Sequence, residues 1–116
     1  MSVPLSRAIS RNNFVFTSGQ ICLTSEGKLL EGTIKEQTCQ VMENLENILT
    51  EEGVSFKDVV KTTIYITDMA IYNDVNEIYA SFLKQPYPAR ETICVKKLPL
   101  GAKVEISMIA AKGGLT

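Results

Sequence analysis

Asp58-Val59-Val60-Lys61-Thr62-Thr63-Ile64-Tyr65-Ile66-Thr67 is the stretch on which the fold turns. It is dense in β-branched residues, which fit a pleated surface better than a helix. Val60, Thr62, Ile64 and Ile66 share one side of the alternation, which predicts a strand with one covered face. On its C-terminal side, Asp68 can cap a helix in which Tyr72, Val75, Tyr79 and Phe82 recur at helical spacing. Pro86 and Pro88 end that helix and force an extended approach to Arg90. On its N-terminal side, Thr33 and Glu36 stand at capping-box spacing. Ile34, Thr38, Val41, Met42, Leu45, Ile48 and Leu49 then form one apolar stripe, and Gly53 supplies the stop.

The flanks complete the pattern. Asn13 to Gly19 reads as a strand ending in a small-residue bend, with turns at Thr24 to Lys28 and at Glu31-Gly32. Glu91 to Lys97 and Lys103 to Ala111 read as two strands joined as a hairpin around Leu98-Pro99-Leu100-Gly101-Ala102. The order of strand, helix, strand, helix, strand, strand predicts an α+β fold of one domain over residues 1–116, with two helices on one face of a mixed sheet. In the last strand Val104, Ile106 and Met108 point one way, and Glu105, Ser107 and Ile109 the other. A sheet covered on one side only invites association with another subunit.

Composition narrows the chemistry. A net charge of −1 argues against broad attraction to nucleic acid. No apolar run approaches the roughly 20 residues that span a bilayer, and no signal-peptide hydrophobic region opens the chain, so a cytoplasmic protein is expected. Cys22, Cys39 and Cys94 are widely spaced, forming neither a CxxC pair nor a zinc pattern. The chain has no histidine, which removes histidine acid–base work, the Ser-His-Asp triad and histidine-ligated metal. Without a Gly-rich phosphate loop, no cofactor site is expected.

Against that background two residues stand out. Arg90, one of three arginines, lies just ahead of a strand, where a planar fork could hold a carboxylate by two hydrogen bonds or form a structural ion pair. Glu105 interrupts an apolar strand, so it either faces water or occupies a protected site that raises its pKa. Together they suggest a small site that grips an anionic metabolite and handles a proton or a water. Thr92 should share a strand face with Arg90. Ser18-Gly19 offers a hydroxyl and a backbone N–H, or is a plain turn. Asn76 on the second helix is a ligand contact or a helix-to-loop tether.

Thr17-Ser18-Gly19-Gln20, Val59 to Asp68, Val75-Asn76-Glu77-Ile78-Tyr79, and Pro88-Ala89-Arg90 followed by Leu98-Pro99 and Val104-Glu105-Ile106 resemble, in this order, the signature segments of the RidA (YjgF) family of imine deaminases. The resemblance covers nearly the whole chain. It implies a chorismate-mutase-like fold and a homotrimer with sites in the clefts between subunits. It also implies hydrolysis of 2-iminopropanoate or 2-iminobutanoate to the 2-keto acid and ammonia. In that reading Arg90 binds the substrate carboxylate with help from the Gly19 backbone. Glu105 positions or activates water, and Ser18, Asn76 and Thr92 line the cleft. The chain departs from the family at two points: Leu5 follows Pro4 where many deaminases carry a tyrosine, and Glu91 stands where a small hydroxyl residue is common. Two other readings stay open, a trimeric anion-binding or regulatory module without catalysis and an RNA-directed translation inhibitor.

Overall fold

The computed structural model describes residues 2–113, so Met1 and residues 114–116 of the expected 1–116 domain lie outside it. Five strands and two α-helices form an α+β unit. The strands are β1 (Ala8–Arg11), β2 (Phe14–Thr17), β3 (Val59–Ile66), β4 (Ala89–Cys94) and β5 (Val104–Ala111), with helices α1 (Ile34–Glu51) and α2 (Tyr72–Phe82). They lie in the order β1-β2-β5-β3-β4, mixed in direction because β4 alone runs parallel to its neighbour. Among the described residues no helix is long and apolar enough to cross a membrane.

Local chemistry accounts for most of these elements. Thr33 caps α1 through a complete capping box: its side chain accepts from Glu36 N–H, and the Glu36 carboxylate accepts from Thr33 N–H at 2.8 Å. Thr38, Val41, Met42, Leu45, Ile48 and Leu49 are the helix's buried residues, as the stripe predicts. Val41, Met42, Leu45 and Leu49 meet Val15, Ile64, Ile66, Ile106 and Met108 from the sheet, while Val75 and Tyr79 of α2 close the same core. Asn12 and Asn13 carry positive φ and turn β1 tightly into β2, which suits a residue type that tolerates that region. Asp68 caps a short 3-10 turn, Met69–Ile71, that leads into α2 rather than capping α2 itself.

Two expectations are corrected. The strands after Arg90 do not pair as a hairpin, because β3 lies between them, parallel to β4 and antiparallel to β5. Residues 95–103 pass over the end of β3, held on one side by Val95 N–H to Ile66 O (2.8 Å) and on the other by Thr67 N–H to Lys103 O (3.2 Å). Leu100 and Gly101 do turn with positive φ, but the connection is long enough to step across a strand. Val60 does not share the covered face. The register slips between Val59 and Lys61, so Val59 is buried and Val60 turns outward, 46% exposed. From Thr62 onward the predicted alternation holds.

Candidate active site

The sheet has a helix-covered face and a bare face, and the predicted site residues divide between them. Arg90 is the ladder partner of Thr62, and Thr92 of Ile64; Thr62 and Ile64 are fully buried beneath the helices. Arg90 and Thr92 therefore lie on the covered face, at the edge strand. Glu105 is the partner of Tyr65, in the alternate set that faces away from the helices. Within one subunit the two charges sit on opposite faces and on strands separated by β3, which is about 10 Å of lateral spacing alone.

The covered half is built around Arg90. Its Nε donates to Thr92 Oγ1 at 3.0 Å, and its Nη2 donates to Asn76 Oδ1. The guanidinium carbon stands 5.0 Å from the centre of the Tyr79 ring and 5.7 Å from that of Tyr72. The Tyr79 hydroxyl donates to buried Thr62 Oγ1 at 2.9 Å, and burial pushes its pKa up, against the opposing effects of that hydrogen bond and of Arg90. Beside the guanidinium opens a concavity of about 380 Å³ lined by Asn76, Tyr79, Ala80, Tyr87, Pro88 and Arg90. No carboxylate among the described residues pairs with Arg90. The ion-pair alternative is thus unsupported within the subunit, and Asn76 tethers the arginine itself rather than a loop.

The bare half gathers Ser18, Gly19 and Glu105. Gln20 and Ile106 exchange backbone hydrogen bonds at 2.8 and 3.0 Å, which lays Gly19 against Glu105. A Cβ added at Gly19 would fall 2.7 Å from the Glu105 Cδ, so this position needs a glycine if the carboxyl keeps its place. The Gly19 N–H has no acceptor among the described residues. Burial pushes the Glu105 carboxyl above the ordinary glutamate range, and no donor among the described residues offsets it. Ser18 donates to Ser6 O at 2.5 Å, and its N–H donates to Arg7 O at 2.8 Å. Its hydroxyl thus anchors the N-terminal segment that carries Leu5 and keeps only acceptor capacity for any further partner. Leu5 is 61% exposed.

Glu91 does point away from Arg90, pairing with Lys61 at 2.8 Å; that hydrogen bond holds its carboxyl below the usual range. The bare face also displays Ile9, Phe14, Phe16 and Ile93, all between 41% and 43% exposed. Sequence reasoning placed Tyr72 and Tyr79 in the core stripe of α2 and missed their contact with Arg90. The available signal was their spacing with Asn76, at i, i+4 and i+7 on one helix face.

Arg90 and Glu105 thus supply a guanidinium held with one end free and a carboxyl without a partner among the described residues. Comparison with known proteins identifies the framework that carries them. The family profile described as Endoribonuclease L-PSP matches residues 1–112. Reactive Intermediate Deaminase A of Arabidopsis thaliana is 47% identical over 108 residues, covering 92% of this chain and 58% of that chloroplastic protein. The human 2-iminobutanoate/2-iminopropanoate deaminase is 39% identical over 114 residues, covering 97% and 83%. The crystal structure of E. coli TdcF with bound serine superposes with a TM-score of 0.89 at 30% identity, covering 97% of this chain and 91% of that one. The chain belongs to the RidA/endoribonuclease L-PSP family.

Proposed function

We propose that the protein is a hydrolytic imine deaminase, converting 2-iminopropanoate and 2-iminobutanoate to their 2-keto acids and ammonia in sites completed between the subunits of a homotrimer. The observation that carries this reading is the division of one sheet into a preset guanidinium on its covered face and, on its bare face, a carboxyl without a partner among the described residues. A second subunit laid against the bare face can bring the Arg90 group of one chain to the Glu105 group of another. The apolar side chains of Ile9, Phe14, Phe16 and Ile93 favour such cover.

In that cleft Arg90 would hold the substrate carboxylate, and the Gly19 N–H, which has no acceptor among the described residues, would assist. Water adds to the imine carbon; Glu105 takes its proton as the C–O bond forms and returns it to the nitrogen. The resulting hydroxyl then gives its proton, through Glu105, to the nitrogen as the C–N bond breaks, so the carbonyl forms as ammonia leaves. The imine carbon is already electrophilic, so orientation and the two proton transfers supply the catalysis. The names of the Arabidopsis and human relatives support this reading. So does the serine bound in TdcF, a small molecule with the same carboxylate handle.

Leu5 favours a second reading. The segment anchored by Ser18 presents an exposed leucine rather than a phenol, which suits an anion-binding module without turnover. One experiment separates the two. Purified protein is added to a threonine or serine dehydratase, with semicarbazide trapping the imine as it forms. Faster release of 2-ketobutyrate or pyruvate supports the deaminase. Binding of 2-ketobutyrate without acceleration supports the module. A stable 12.8 kDa monomer by light scattering at micromolar concentration would overturn the inter-subunit site in both.

A further inference from the structure

We propose that Tyr79, seconded by Tyr72, is a positioning residue: α2 fixes the plane and the rotation of the Arg90 guanidinium, so that one particular edge of it faces the substrate carboxylate. The inference rests on the deaminase reading of Arg90 as the carboxylate ligand and goes beyond it by naming what aims the arginine.

The geometry leaves little freedom. An arginine side chain has many rotamers, and ordering it on ligand binding weakens affinity unless the protein has ordered it beforehand. Here the ordering is complete before any ligand arrives. The Nε–H is taken by Thr92 at 3.0 Å and one Nη2 hydrogen by Asn76, which occupies the side of the fork nearest the backbone. Nη1 makes no hydrogen bond among the described residues, so the Nη1–Nη2 end is the edge left for a carboxylate. The two hydrogen bonds fix rotation within the guanidinium plane; the aromatic rings fix the plane itself. Tyr79 lies 5.0 Å from the guanidinium carbon and Tyr72 5.7 Å, and an aromatic face attracts the cation most strongly where water is excluded.

The Tyr79 ring cannot drift. It is 4% exposed, and its hydroxyl is tied at 2.9 Å to Thr62, which is fully buried and is the ladder partner of Arg90. The chain from Arg90 through the backbone to Thr62, through the tyrosine hydroxyl to the ring, and back to the guanidinium is closed. Burial also keeps that phenol protonated and therefore a donor. Tyr72, Asn76 and Tyr79 occupy one face of α2 at i, i+4 and i+7, so one helix supplies three of the four contacts.

Two kinds of variant test the inference. Tyr79→Phe keeps the ring and removes the hydroxyl; Tyr79→Leu removes the ring. The first readout needs no ligand: the nitrogen-15 NMR signal of the Arg90 Nε–H. In the wild type it should be slow to exchange and distinct from those of Arg7 and Arg11, both of which are exposed. It should persist in Tyr79→Phe and collapse toward the exposed pair in Tyr79→Leu. The second readout is affinity for 2-ketobutyrate. Tyr79→Leu should weaken it roughly tenfold and raise KM in proportion with little change in kcat, while Tyr79→Phe stays within about threefold.

A Tyr79→Leu protein with a wild-type Nε signal overturns the inference, as does a Phe variant that loses as much affinity as the Leu variant. Should Tyr79→Leu fail to fold, Tyr72→Leu, which is only half-buried, carries the same test. It is expected to accelerate exchange at Arg90 Nε–H, and an unchanged signal overturns the inference. If wild-type protein ignores 2-ketobutyrate, the deaminase reading fails, and the NMR signal still decides whether the tyrosines hold the arginine.

Discussion

Arg90 and Glu105 are both charged residues on strands of one sheet, and their surroundings are opposite. Arg90 has two hydrogen-bond acceptors and two aromatic rings around it, and still keeps one end free. Glu105 has a glycine packed against its carboxyl and no partner among the described residues, and burial raises its pKa. The difference suits the two tasks proposed for these residues. A group that holds an anion gains from being ordered in advance, because less freedom is lost on binding. A group that exchanges a proton gains from a destabilised charge, because a raised pKa lies closer to the working pH. The covered face offers helices that can hold a side chain; the bare face offers a place where desolvation is not compensated.

Glu105→Gln should break the comparison most sharply. Turnover is expected to fall about a hundredfold or more, the range usual for a general base, while 2-ketobutyrate affinity changes little. Equal loss of binding and stability would instead make Glu105 the buried partner of an arginine across the subunit boundary. The pH dependence carries a definite sign. Because the folded carboxyl has a raised pKa, the folded protein holds that proton more tightly than the unfolded chain. The associated stability is present below the ordinary glutamate range and is lost as pH rises through the raised value. Wild-type turnover should therefore climb with pH through that value. Melting curves of the Gln variant should match or slightly exceed wild type above it and lose the advantage in acid. A melting difference of the opposite sign would show that the carboxylate is stabilised, not strained.

Arg90→Lys should come next. Lysine keeps the charge and loses the planar fork, together with the paired contacts to Thr92 and Asn76. Losing a charge-assisted hydrogen bond costs ~1.5–3 kcal/mol, so affinity for 2-ketobutyrate should drop roughly tenfold to a hundredfold, with the mass by light scattering equal to that of wild type. Wild-type rates at substrate well below saturation would make Arg90 structural.

How far the sequence reaches differs between fold and site, for physical reasons. The capping box at Thr33 and Glu36, the α1 stripe and the alternation from Thr62 to Ile66 are local patterns, and local patterns fixed those elements. Strand order is a long-range property. Nothing in Leu98 to Ala102 distinguishes a turn between neighbours from a step across β3, and the bulge that turns Val60 outward leaves no mark in composition. The candidate site residues stand out in the sequence as types, because an arginine far from the other two and an acid in an apolar strand are both costly without a task. Their placement on opposite faces was legible only in part. Alternation put Glu105 away from Val104 and Ile106, but which face Arg90 takes depends on its register with Thr62, which only pairing decides.

The smallest expected effect tests whether face outweighs sequence neighbourhood. Glu91 adjoins Arg90 along the chain, yet strand alternation sends its carboxylate to the other side, where Lys61 holds it at 2.8 Å. Both side chains of that pair are substantially exposed, at 36% and 57%, so water and salt screen it. Glu91→Ser should then leave turnover and 2-ketobutyrate affinity within about twofold of wild type, as is usual for surface changes away from a site. The depressed Glu91 pKa contributes only above the ordinary carboxylate range and is lost as pH falls through the lowered value, so any small change in melting should vanish in acid. A gain in affinity on removing Glu91 would be the informative surprise. It would mean that in the proposed assembly this carboxylate reaches an arginine and competes with the ligand, and that the two faces of the sheet are less separate than one subunit makes them.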